Sequence, residues 1–172
     1  MSQENIQKKL IVKSREEYGE KYFDHLLEMY KLYVTMADNI SSRRQTANSF
    51  FLTVNTALVA LWSSAKHCFG EQALHFIWLV ALCGIVLCYA WYRLVRSYKD
   101  LNSAKFKVIH LIEQGLPLSP YDAEWEAVGR GKNKKLYLPF THIEIYVPWV
   151  FLLIHALAIL LTVPWLLLFK CL

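Results

Sequence analysis

The feature that most restricts this chain is the bunching of its apolar residues into three long runs. They are residues 48–65 (NSFFLTVNTALVALWSSA), 74–95 (LHFIWLVALCGIVLCYAWYRLV) and 146–169 (YVPWVFLLIHALAILLTVPWLLLF). A helix needs roughly 20 residues to cross about 30 Å of hydrocarbon, and each run approaches or exceeds that length. In lipid every backbone polar group must be paired within the segment, so such runs are read as helices. The first run begins after a charged segment and has no cleavage pattern behind it, unlike a signal peptide. Of the 172 residues, 55% are hydrophobic and only 19% charged, against roughly 25% charged in soluble domains. These numbers argue against a disordered chain, a disulfide scaffold and a soluble enzyme.

Charge placement sets the expected orientation. Eight Lys/Arg precede the first run, nine lie from Arg93 at the end of the second run to the start of the third, and only Lys66 and Lys170 fall on the other side. The amino-terminal segment and the long loop are therefore expected in the cytoplasm, and the short loop after Lys66 and the carboxyl terminus outside. The basic excess belongs to membrane orientation and anionic headgroups. Thirteen acidic residues share the inner side with these cations, which argues against nucleic acid as a partner. Cys83 and Cys88 fall inside the second run, where Cys acts as a small residue. Cys68 and Cys171 fall near the outer face, where a disulfide and free thiols both remain open.

The expected fold is an all-α integral membrane protein with three transmembrane helices. Its parts are a cytoplasmic amphipathic helix (1–47), transmembrane helices one and two (48–96), a cytoplasmic helical loop (97–145) and a third transmembrane helix with a short external tail (146–172). Residues 14–42 read as one amphipathic helix, because Tyr18, Tyr22, Leu26, Tyr30, Tyr33, Ala37 and Ile40 recur at steps of three and four. Ser14 and Glu17 form a capping box at its start. With no Gly or Pro between Glu20 and Ala65, this helix can run straight into the first span, a rod of about 70 Å at about 1.5 Å per residue. The tyrosine face is a candidate contact for a neighbouring copy or partner, and equally suits packing on the chain's own loop.

After the second span, residues 97–114 continue as an amphipathic helix that Gly115 and Pro117 stop. A short helix follows, with Ser119 placed to cap it, Pro120 in its first turn and Gly129 at its end. RGKNKK (130–135) reads as a flexible basic loop. Asp122, Glu124 and Glu126 around Trp125 read as a structural or docking face rather than acid/base machinery. Thr141 and Glu144 make a second capping box, and Pro148 invites a kink.

No nucleophile motif, Gly-rich phosphate loop or Cys/His metal spacing occurs, so no catalytic role, cofactor or metal is expected. His155 falls near the middle of the third span, where an ionisable group is rare. Its bland role is a neutral imidazole bonded to a neighbouring helix, its functional role gating or proton transfer. The first span has a polar side. On a helical wheel Ser49, Thr53, Thr56, Ala60 and Ser63 fall within about 40° of one line, and Asn48 and Asn55 lie about 110° to one side. Asn55 must meet protein or water. Asn48, Ser49, Thr53, Asn55, Thr56, Ser63 and His155 are thus the pore-lining or inter-helix candidates. The polar side either packs on a small-residue surface of Ala81, Gly84 and Cys88, or lines a water path between subunits.

Four stretches also carry a family resemblance: RRQTANSFFLTVNTAL (43–58), YKDLNSAKFKVIHLIEQGLP (98–117), EW (124–125) and YLPFTHIEIYVPWVF (137–151). Together, over about residues 20–155, they resemble the RipA-type family of small octameric bacterial membrane proteins found among anti-phage defence genes. The helix leading into paired membrane helices is similar to the broader SLATT-like class of membrane effectors. The resemblance implies a homo-octamer in the bacterial inner membrane that permeabilises the bilayer when infection is sensed, with a phage protein as a candidate trigger. It implies no catalytic residues and no cofactor. A membrane-anchored scaffold that recruits a partner without conducting is the alternative.

Overall fold

The structure is a computed structural model and describes residues 3–70, 74–133, 136–137 and 143–162. It is all-α over these residues. In chain order the helices are α1 (Gln3–Leu10), α2 (Arg15–Tyr18), α3 (Tyr22–Phe69), α4 (Leu74–Glu113), α5 (Pro120–Ala127) with a 3-10 turn at Gly129–Gly131, and α6 (Val147–Thr162). The chain divides into two compact units: Met1–Arg43 with Tyr98–Pro139, and Arg44–Ser97 with Phe140–Leu172. The long helices α3 and α4 each give one end to either unit.

The expected single helix from residue 14 is broken. The Ser14–Glu17 capping box forms, but α2 lasts one turn and ends at Gly19, whose φ of +87° is open to glycine at little cost. From Tyr22 the helix runs uninterrupted for 48 residues into the first apolar run, because nothing in that stretch stops it. Likewise α4 is continuous for 40 residues and ends at Glu113. The Gly115 amide then bonds the Ile112 carbonyl at 3.0 Å and closes the end.

By length and composition, among the described residues one helix segment, Ile77–Glu113, suffices to cross a membrane, and α6 is a shorter apolar helix. Only 28% of the most apolar window of that segment is buried, unlike the core helix of a soluble protein. The expected third span is a 16-residue helix to Thr162, and residues 163–169 lie outside the described residues. The first run is helical but does not pass the same test, since Asn48, Ser49, Thr53, Asn55, Thr56, Ser63 and Ser64 dilute it.

The second unit has a small core. Ala81, Cys88, Trp91 and Val95 of α4 and Ala158 of α6 are buried with Asn55 and His155. Trp91 stacks on Phe51 with ring centroids 5.8 Å apart and 8° between planes, and its other neighbour is Phe151 at 6.2 Å. In place of the expected kink at Pro148, the chain turns just before it: the Tyr146 amide bonds the Ile143 carbonyl at 3.0 Å. Pro148 then occupies the first turn of α6, where its missing N–H costs nothing. Thr141 lies outside the described residues, and so does the capping box expected there.

In the first unit the core is Ala37 and Ile40 of α3 with Ile109 and Ile112 of α4. Ser119 holds the N-cap position of α5, yet its side chain makes no capping bond. Glu113 replaces it. The 130–135 segment departs from the expected free basic loop, since Arg130 pairs with Glu126 and, at 3.4 Å, with Asp122. Those bonds raise the Arg130 pKa further, the hydrogen bond to Glu126 foremost. Lys134 and Lys135 lie outside the described residues.

Candidate functional site: two buried polar hubs

In the second unit the hub is Asn55. It lies one turn after Phe51 on α3, and its amide nitrogen donates to the Phe51 carbonyl at 2.9 Å. Its oxygen accepts from the Cys88 thiol at 3.1 Å and faces His155 Nε2 at 3.2 Å. An amide oxygen only accepts, so this bond assigns the imidazole hydrogen to Nε2 and leaves Nδ1 with a lone pair. Nδ1 is buried and has no hydrogen-bond partner among the described residues. Asn55, Cys88 and His155 are each fully buried, so one carboxamide ties α3, α4 and α6 together. Gly84 makes this possible. A Cβ at Gly84 would stand 2.5 Å from Cε1 and 2.6 Å from Cδ2 of His155, and closer still to Nε2. The imidazole therefore lies flat on the α4 backbone.

Two turns before Asn55, the Asn48 side-chain oxygen accepts from the Trp91 indole N–H at 2.8 Å. Arg44 and Glu144 approach to 3.5 Å, with side chains 16% and 11% exposed. Asn48, Asn55 and His155 thus meet other helices of their own unit. Ser49, Thr53, Thr56 and Ser63 do not, and all four are exposed. The Thr56 hydroxyl donates to the Leu52 carbonyl at 2.8 Å, and the Ser63 hydroxyl to the Val59 carbonyl at 2.7 Å. The first apolar run therefore carries two distinct polar faces, one directed into the unit and one away from it.

In the first unit the hub is Glu113, the last residue of α4 and 1% exposed. Its carboxylate accepts the Tyr30 hydroxyl at 2.9 Å, the Tyr121 amide at 3.0 Å and the Asp122 amide at 3.2 Å. It does the work of an N-cap from outside the helix it caps, and its charge suits the positive end of α5. Burial, then the bond to Glu113, raises the Tyr30 pKa. Burial, then the Asp38, Glu124 and Glu113 carboxylates, raises that of Tyr121.

The other tyrosine-face residues are also engaged inside this unit. The Lys105 ammonium sits 4.9 Å from the Tyr33 ring centroid. Leu26 packs over Gly115, where a Cβ would lie 3.3 Å from Leu26 Cδ2. Tyr22 meets Tyr18 edge to face at 5.9 Å, and the Tyr18 hydroxyl bonds His25 Nδ1 at 2.6 Å. Sequence reasoning missed Glu113 and Trp91 as bonding partners. A signal for Glu113 existed: it follows Ile109 by four residues, so an acid falls on the face that Ile109 and Ile112 bury.

Among the described residues, no group of His, Cys, Asp and Glu is arranged to hold a metal. Neither hub is an open site. Asn55 and Glu113 hold helices together. No curated protein and no solved structure shows significant similarity to the chain. The profile described as "Octameric membrane protein family (8xMP)" matches residues 27–164. That match takes in the Asn55 hub, the Glu113 hub and the outward face of the first apolar run, and the chain belongs to this octameric membrane protein family.

Proposed function

We propose that this protein is an oligomeric, membrane-permeabilising effector of bacterial anti-phage immunity. It sits in the inner membrane as an octamer of three-span subunits with cytoplasmic amino termini. The observation that carries the reading is the outward face of Ser49, Thr53, Thr56 and Ser63, exposed and turned away from the other helices of its own unit. Thr56 and Ser63 satisfy their hydroxyl hydrogens on their own helix. Such hydroxyls tolerate a dry environment while the lone pairs still accept from water. A face of this kind suits copies that are harmless when dispersed or closed and conductive when assembled into a ring.

Geometry favours eight copies over few. With neighbouring helix axes about 9 Å apart, eight helices place their axes about 12 Å from the centre. After subtracting a helix radius of about 5 Å, an opening of roughly 13 Å remains. Five helices leave only about 5 Å by the same arithmetic. The wider ring passes hydrated ions and small metabolites and needs no charged filter. An infection signal, with a phage protein as candidate trigger, orders the copies.

Dye release from liposomes holding the pure protein tests this. Leakage is expected from the wild type and is expected to fall in Thr53→Val/Thr56→Val, whose buried hub is untouched. No leakage from fully assembled octamers would favour the second reading, a membrane-anchored scaffold. The exposed apolar side chains of Met29, Leu32 and Met36 are what support that alternative.

A further inference from the structure

We infer that the subunits join through a ridge-and-groove contact in the first unit: the Met29–Leu32–Met36 ridge of one copy seats in the aromatic cleft between α4 and α5 of the next. The inference rests on the octameric reading above and names the surfaces that make the octamer.

The ridge is an unpartnered row on α3. Met29, Leu32 and Met36 follow at steps of three and four, so they stand in line on one side of the helix. They are 54%, 59% and 41% exposed. Residues Asp24, Glu28, Lys31 and Asp38 around the same helix are exposed and charged, so this row faces water unless protein covers it. Two methionines on one exposed row suit an aromatic partner, through sulfur–aromatic contacts and adaptable shape.

The groove is on other helices of the same unit. A cleft of about 550 Å³ opens between α4 and α5, walled by Phe106, His110, Tyr121, Trp125 and Tyr137 among others. Phe106 and Tyr121 meet edge to face at 5.6 Å, and Trp125 and Tyr137 at 6.4 Å. The cleft is thus a set of fixed aromatic walls with an empty middle.

Three further points fit ridge to groove. First, ridge and groove differ in kind and lie on different helices, so their pairing is heterologous, the type of contact that builds a closed ring. Second, their lengths are close. The ridge covers eight residues from Met29 to Met36 and the α4 wall nine from Asn102 to His110, about 10 and about 12 Å of helix. Third, they lie at one level. Tyr30 meets Glu113 and Tyr33 meets Lys105, which sets Leu32 level with the stretch of α4 that holds Phe106, Lys107 and His110. Rotation about an axis parallel to the helices keeps every residue at its level, so each ridge arrives at the next copy's cleft.

The alternative occupant is a small molecule. Asn102 Oδ1, in a residue lining the cleft, is buried without a hydrogen-bond partner among the described residues, and a donor-bearing ligand would use it.

The test is cysteine cross-linking of the full chain in native membranes. Leu32→Cys and Lys107→Cys both replace exposed residues, so the fold is expected to survive; they are placed in a background in which Cys68, Cys83 and Cys171 are changed to Ser, and the buried Cys88 is kept. A short bismaleimide should give a ladder ending at eight in the double variant, and at most a single cross-linked pair in either single variant. Octamers by native mass with no ladder would overturn the contact and leave the octameric reading standing. Absence of any oligomer would overturn both. A small molecule that copurifies with the wild type and is lost in Trp125→Ala would assign the cleft to a ligand and overturn the contact.

Discussion

Gly84→Ala tests the packing of the His155 imidazole on α4. The new Cβ would stand 2.5–2.6 Å from the Cε1 and Cδ2 atoms, roughly 1 Å inside ordinary contact. Neither side can give way freely. His155 is bonded to Asn55 at 3.2 Å, and Gly84 is mid-helix in α4. Overpacking of this kind costs about 1–3 kcal/mol, read as a fall of about 2–4 °C in Tm per kcal/mol for a chain of this size. His155→Ala alone should also destabilise, by about 2–4 kcal/mol, through the lost ring volume and a weakened Asn55 network. The double variant discriminates. With the ring gone, the methyl group introduced by Gly84→Ala enters the vacated space, so the double should be less destabilised than the sum by about 1–3 kcal/mol. The assay is intrinsic tryptophan fluorescence during thermal unfolding in one detergent, with all four proteins at equal concentration. Losses that add to within about 0.5 kcal/mol would refute the contact and place His155 elsewhere.

Other outcomes follow from the same geometry. Glu113→Ala removes three hydrogen bonds, two of them the cap of α5, and should cost about 2–4 kcal/mol; unchanged proteolysis within 114–128 would contradict the hub. Tyr30 and Tyr121 have raised pKa values in the fold, so their contribution is present below pH about 10 and lost as pH rises beyond it. Tm should therefore fall less steeply between pH 9 and 12 in Tyr30→Phe than in the wild type, and equal slopes would refute the assignment. Alkaline phosphatase fused after Leu172 should be active and fused after Lys135 inactive, and the reverse pattern would overturn the three-span topology. Asn55→Leu should lower Tm, whereas Thr53→Val/Thr56→Val should lower leakage with little change in Tm; loss of leakage at unchanged Tm in Asn55→Leu would return Asn55 to the pore face.

Helical patterning made most of the backbone legible. Steps of three and four between Tyr18 and Ile40 and the lack of Gly or Pro after Glu20 foretold the long α3. Gly115 and Pro117 foretold the end of α4. Gly19 was legible too, but the periodicity of Tyr18 and Tyr22 runs across it, and only its positive φ shows that the helix restarts there. The wheel separated Asn48 and Asn55 from the hydroxyl stripe without saying which face turns inward. Both faces are polar, and that choice depends on the shape of α4, where Gly84 leaves room for the His155 ring. Glu113 escaped for a similar reason. A charged residue just before Gly115 reads as solvated until α5 folds back and presents two amides. In both places the sequence shows the residue and hides the partner, because the partner comes from a segment 33 to 100 positions away for Asn55 and from 83 positions away for the Glu113–Tyr30 bond.

The two hubs also differ in what their bonds are worth, and the difference bears on function. Between helices in lipid, hydrogen bonds average only about 0.6 kcal/mol. Asn55 therefore gains its weight from matching: its one carboxamide meets the Phe51 carbonyl, the Cys88 thiol and His155 Nε2 on three helices at once. It specifies an arrangement more than it strengthens one. Glu113 holds a charge and accepts three bonds, each stronger than a neutral pair, so it both specifies and stabilises. With one hub in each unit, substitutions at Asn55 and Glu113 have no shared partner and should add. A subunit held by these two hubs leaves assembly to its outer faces, and those faces are where activity can be switched without refolding the subunit.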